Sequence, residues 1–154
     1  MAERRTSGTH SRARAVARKL AMQALYQWQL NAQPWQDLCS QFRGDEDWVR
    51  ADAEYFQELV CGVLADALEL DRQLTIDLDR APAGLDPIEH AILLIGAYEL
   101  LRRADVPFRV VITEGVGLAK RFGATDGYKY VNAVLDRLAR RLRAVEAGGP
   151  ATAV

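Results

Sequence analysis

At 154 residues, with 49% of them hydrophobic and 27% charged, the chain is long enough for one domain with a buried core and too short for two full ones. Its formal net charge of -1 gives no global nucleic-acid signature, so any such function must rest on where the charges lie. Cys39 and Cys61 lack C-x-x-C spacing and read as buried thiols of a cytoplasmic protein; the longest apolar run, residues 91–101, is shorter than the ~20 residues of a membrane helix.

Residues 1–11 carry no apolar periodicity and are expected to form a disordered basic tail. Over residues 1–19 the bases Arg4, Arg5, Arg12, Arg14, Arg18 and Lys19 face the single acid Glu3. A helical pattern begins near Arg12 and runs to about Leu30, burying Val16, Leu20, Ala24, Leu25 and Trp28. Cations in a first turn oppose the macrodipole at ~0.3–1 kcal/mol each. A solvated charged end and an RNA-phosphate surface are the two readings; the adverse dipole and the basic tail favour the second.

Pro34 restarts the chain, and Trp35, Leu38 and Phe42 give a short helix with one apolar edge, broken at residues 44–47. Asp52 is placed to cap a long helix in which Phe56, Leu59, Val60, Val63, Ala67, Leu70 and Leu74 recur at core spacing. Ala81-Pro82-Ala83-Gly84 is the strongest breaker and predicts a division into helical subdomains at about 12–80 and 85–143. Asp86, Pro87 and Glu89 then stand at the cap, first and third positions of a helix, a capping-box arrangement. From Ile88 to Leu101 the sequence is apolar almost all round, which predicts a central helix. Val110, Val111 and Ile112 have no partner strand in the sequence and read as a packed connector or the opening of the next helix.

Residues 111–136 read as helix, stop, polar tip, helix. Val116, Ala119 and Phe122 form the first stripe, Gly123 stands where a left-handed cap is wanted, and Thr125 or Asp126 is placed to cap the second helix. Tyr128, Val131, Leu135, Leu138, Leu142 and Val145 form its buried stripe, which leaves Asp126, Lys129 and Tyr130 to the tip. Residues 144–154 are expected to be a disordered tail. The fold class expected is all-α, a single domain of two packed helical subdomains.

Parts for an enzyme are missing. His10, His90 and the two cysteines give no metal-ligand set, no phosphate loop or nucleophile elbow is present, and the carboxylates Glu99, Glu114 and Asp126 read more simply as a buried acceptor and helix-start residues. No catalytic residue, metal or cofactor is assigned.

The elements V-I-x-E, L-A-K-x-F-G, D-x-x-K-[FY]-V-N and V-L-D within residues 111–136 resemble the C-terminal signature of the NusB family of bacterial transcription antitermination factors. A-x-Q-A-L-Y-x-W-Q-L at 21–30, D-x-x-Y-F-x-x-L-V-x-G-V at 52–63 and A-I-L-x-I-x-x-Y-E-L at 91–100 fit the same family, in order and at plausible spacing, from about Arg12 to Arg143. One departure is that Gly115 and Gly117 stand where the family commonly has Ala and Glu; two interior glycines cost ~1 kcal/mol each, so the helix is soft or a backbone comes close.

The resemblance implies binding of boxA-type single-stranded RNA of ribosomal RNA leader transcripts, together with NusE, a small-subunit ribosomal protein, in a transcription elongation complex on RNA polymerase. Carried over by motif, the RNA face would combine Arg12, Arg14, Arg18 and Lys19 with Asp126, Lys129 and Tyr130, and Glu89 would meet NusE. Ala13, Ala15 and Ala17 interrupt the family's denser arginine cluster. Tyr26 reads as half-buried core, with a further polar aromatic edge on the RNA face as its alternative. Some members pair with themselves, so a homodimer is an open alternative. A helical interaction module without RNA affinity, related to the N-terminal domain of ribosomal RNA methyltransferases, is the rival of a different class; its catalytic α/β domain has no room in 154 residues.

Overall fold

Local signals in the sequence set most helix ends. In the computed structural model, which describes residues 2–78 and 84–144, Asp52 Oδ1 accepts from the Tyr55 N–H at 3.0 Å. Asp86 Oδ1 accepts from the amides of Ile88 and Glu89 at 2.9 and 3.2 Å, with Pro87 opening the helix. The elements are α1 (Ala2–Leu30), α2 (Trp35–Phe42), a 3-10 turn at Trp48–Arg50, α3 (Ala53–Asp77), α4 (Pro87–Arg102), α5 (Phe108–Phe122) and α6 (Gly127–Leu142). Among the described residues there is no strand, and no helix is long and apolar enough to cross a membrane. Val110 to Ile112 open α5.

The helix ends differ from the sequence reading at two places. Residues 2–11, expected to be disordered, are the start of α1: they lack an apolar stripe, but Gly8 is their one strong breaker and Ala, Glu and Arg propagate a helix once the buried turns have nucleated it. Gly123, expected in the left-handed region, is extended at φ -83 and ψ 177, and the left-handed residue of that turn is Asp126 at φ 64, which makes no side-chain cap bond. A short polar side chain tolerates that conformation. At Gly123 the constraint is space, because a Cβ would stand 2.8 Å from the Ala119 carbonyl oxygen.

The chain also divides into units. It forms two units, Met1–Ala65 and Asp66–Val154, which part inside α3; most of the breaker at residues 81–84, on which the sequence division rests, lies outside the described residues. The second half of α3 is tied to later helices. Arg102 Nε donates to Asp66 at 3.0 Å, His90 Nε2 lies 2.7 Å from Asp71 Oδ1, and Arg141 donates to Gln73 Oε1 and Asp77 Oδ2 at 2.7 and 2.8 Å. The tail beyond Ala144 also lies outside the described residues.

In the first unit α1 packs on α2 and the 3-10 turn. Leu20, Leu25, Leu38, Phe56 and Leu59 are fully buried there, and the rings of Phe42 and Trp48 pack on Phe56 with centroids 5.9 and 5.2 Å away. Cys39 is buried, which pushes its thiol up; Cys61 is half-buried.

In the second unit α4, α5 and α6 pack on one another. All of residues 91–97 are buried, as the unbroken apolar run predicts. Leu135 of α6 seats in a notch made by two glycines: a Cβ on Gly96 or Gly115 would come 2.6 or 2.8 Å from its methyl carbons. Close approach therefore explains Gly115. Gly117 has nothing within 4 Å of an added Cβ. The end of α4 is closed by Arg143, which donates to the carbonyls of Glu99, Leu100, Arg103 and Val106 at 2.7–2.9 Å.

Candidate nucleic-acid interface

The basic stretch of α1 divides by helical spacing. Arg14 and Arg18, one turn apart, lie over the ring of Tyr55, with guanidinium carbons 4.4 and 5.4 Å from its centroid. Arg18 is 3% exposed, and Arg14 Nε is buried without a hydrogen-bond partner. Lys19 is ion-paired with Asp47, which also takes Arg50, and the Lys19 and Asp47 side chains are only 14% and 17% exposed. Of the four bases assigned to RNA, Arg12 alone is exposed. With Arg50 it flanks an otherwise apolar groove of about 670 Å³ lined by Ala15, Val16, Val49 and Ala51. Arg50 went unrecognised because it stands in a loop without periodicity. Tyr26, read as half-buried core, is exposed.

In the second unit, Asp126 and Lys129 meet at the start of α6, Nζ to Oδ1 at 3.4 Å, both side chains about two-thirds exposed at 65% and 66%. Tyr130 is half-buried. Tyr128, assigned to the core, is also only half-buried; the buried stripe of α6 is Gly127, Val131, Val134, Leu135, Leu138 and Ala139. Glycine at 127 takes the inward position because the Glu89 carboxylate lies directly against it. Tyr128 faces a groove of about 550 Å³ between α5 and α6, shared with Val116, Gly117, Lys120, Lys129 and Asn132. The ammonium groups of Lys120 and Lys129 stand 5.0 and 6.0 Å from its ring centroid. The i, i+4 pair Tyr128 and Asn132 was the available signal for this face.

Glu89 is 7% exposed. Its Oε2 accepts from the Ala124 N–H at 3.4 Å, so the carboxylate spans to the α5–α6 turn and does not close a reciprocal capping box. It holds the turn that carries Asp126.

A model described as the NusB family matches residues 15–140. The chain belongs to the NusB family. It is 53% identical over 135 residues to the transcription antitermination protein NusB of Alcanivorax borkumensis, across 88% of this chain and 90% of that one. Among solved structures, T. maritima NusB gives a TM-score of 0.73 at 26% identity, covering 82% of this chain and 90% of its own. A chain in the crystal structure of the antitermination factors NusB and NusE in complex with dsRNA gives 0.72 at 25% identity, covering 84% and 98%. With relatives named as transcription antitermination proteins over most of their length, this chain is an antitermination factor and not an enzyme.

Proposed function

We propose that this antitermination factor binds boxA-type single-stranded RNA of ribosomal RNA leader transcripts together with NusE, as part of the elongation complex on RNA polymerase in the cytoplasm. The observation that supports RNA and NusE as partners is the likeness, over 98% of its length, to a chain in the structure of NusB and NusE in complex with dsRNA; the single-stranded boxA preference is what the family resemblance implies. Exposed Arg12 and Lys129 supply phosphate contacts, Asp126 shapes the tip, and Tyr130 offers a ring for an unpaired base. Arg14 contributes through its edge, while Arg18 and Lys19 order the surface around Tyr55 and Asp47. Glu89 serves the NusE contact by fixing the α5–α6 turn.

Titration of boxA RNA with and without NusE tests this. Binding is expected to be weak alone and tighter with NusE, because a small surface with few bases gains from a partner's contacts. With roughly three phosphates neutralised, log affinity should fall against log salt with a slope near -2. Equal affinities with and without NusE would remove the cooperative reading; absence of binding in both would remove the RNA reading altogether.

A further inference from the structure

We infer that the groove between α1 and the turn at Trp48–Arg50 docks an acidic segment of a partner protein, which seats an aliphatic side chain on the groove walls and carboxylates on Arg12 and Arg50. The groove lies wholly within the first unit. Of the residues that line it, only Arg12 belongs to the proposed RNA face, so the inference does not depend on that reading.

The walls are aliphatic. Ala13, Ala15 and Val16 of α1 form one side and Val49 and Ala51 the other, around about 670 Å³, within the ~300–1,000 Å³ of ordinary ligand pockets. This lining follows from the interruption of the basic run. Of the three alanines that break it, Ala13 and Ala15 stand on the groove, and Ala17 is fully buried. Arginines at 13 and 15 would make the surface cationic throughout. As it stands, the cations are Arg12 and Arg50 alone, and no aromatic ring lines the groove for a base to stack on. Aliphatic walls beside two guanidinium groups complement an apolar side chain flanked by carboxylates, which arginine binds through paired hydrogen bonds.

The turn that presents Val49 is fixed from three sides. The Trp48 ring stands edge-on to Phe56 with centroids 5.2 Å apart, Asp47 pairs with Lys19, and the Asp52 N–H donates to the Ala13 carbonyl at 3.0 Å. Held in this way, Val49 is nonetheless 86% exposed. A stiff β-branched side chain on a rigid turn loses little freedom when a partner covers it. Arg50 is prepared in the same sense. Its Nη2 donates to Asp47 Oδ1, which leaves the rest of the guanidinium fork for a second carboxylate.

The test is an NMR titration of the isotope-labelled full chain with the capped peptide Glu-Glu-Leu-Leu-Glu-Glu, and with versions carrying Lys for Glu or Ala for Leu. The amides of Ala13, Val16, Val49 and Ala51 should shift together with the acidic peptide, at a dissociation constant on the order of 0.1–1 mM for so small a contact, and little with either control. Val49→Ser and Arg50→Gln should each weaken that peptide about tenfold. Both should melt and bind RNA and NusE like wild type, because the two side chains are largely exposed. An acidic peptide that leaves these amides unmoved, or moves them no more than the lysine version does, would overturn the inference. So would variants that keep the peptide and lose RNA, which would make the groove part of the nucleic-acid face. Shifts of the same amides on dilution of the chain alone would overturn it as well, by making the groove a contact between copies.

Discussion

Lys19 separates a charge that binds a ligand from one that holds the fold. Its ammonium pairs with Asp47 at only 14% and 17% side-chain exposure, and Asp47 is shared with Arg50, whose side chain is largely exposed. An exposed ion pair contributes ~0–1 kcal/mol, and removing one partner of a fully buried pair costs ~3–5. This partly buried pair lies between them, so Lys19→Ala should cost roughly 1–2 kcal/mol. For a chain of this length that corresponds to a fall of roughly 2–8 °C in melting temperature. Asp47→Ala should cost at least as much, because it leaves Lys19 half-buried and unpaired. In a double-mutant cycle by urea denaturation, the pair should show a coupling of about 1 kcal/mol. RNA affinity and salt slope of Lys19→Ala should equal wild type, whereas Arg12→Ala should flatten the slope by about 0.7. A Lys19→Ala protein that melts like wild type and has a flatter salt slope would refute the structural assignment.

Leu135→Ala should destabilise by about 2–5 kcal/mol as a fully buried leucine is truncated. Gly115→Ala should destabilise the wild type by crowding Leu135, yet stabilise the Leu135→Ala background, where space is open and alanine gains ~1 kcal/mol of helix propensity; chemical denaturation of the four proteins checks the sign change. Glu69 accepts from Arg72 at 2.7 Å and Gln73 at 3.0 Å, which lowers its carboxyl from an ordinary 4.5 to about 2. Its contribution to stability is therefore present above about pH 4.5 and lost as pH falls through about 2. Carboxyl NMR should find that low midpoint, and Glu69→Gln should lower the melting temperature only slightly at neutral pH, because its partner Arg72 is largely exposed to solvent.

What was legible in the sequence was local. Asp52 and Asp86 announce their helices through residues two or three positions away, and the apolar run of α4 predicts burial without reference to any partner. What was not legible depends on residues distant in sequence. Nothing in the basic run of α1 shows that Arg14 and Arg18 will lie on Tyr55, or that Lys19 will find Asp47. Read linearly, four cations suggest one charged face; folded, helical spacing turns three of them onto neighbouring groups. The tip suffered the opposite error. A stripe drawn from Tyr128 absorbed it into the core, because Gly127, the residue that occupies the inward position, has no side chain to register in an apolar pattern. The two glycines of α5 look equivalent in sequence, and only the placement of Leu135 distinguishes the one that packing requires.

The hydrogen bonds of Arg143 also bear on synthesis. The carbonyls that end α4 and begin the following loop are bound by a residue about forty positions further along the chain. During translation, α4 emerges and coils through its own capping aspartate, but its last turn stays open to water until residue 143 has left the ribosome. The end of α4 is thus among the last parts of the second unit to become ordered, although α4 is the first helix lying wholly within that unit to be made.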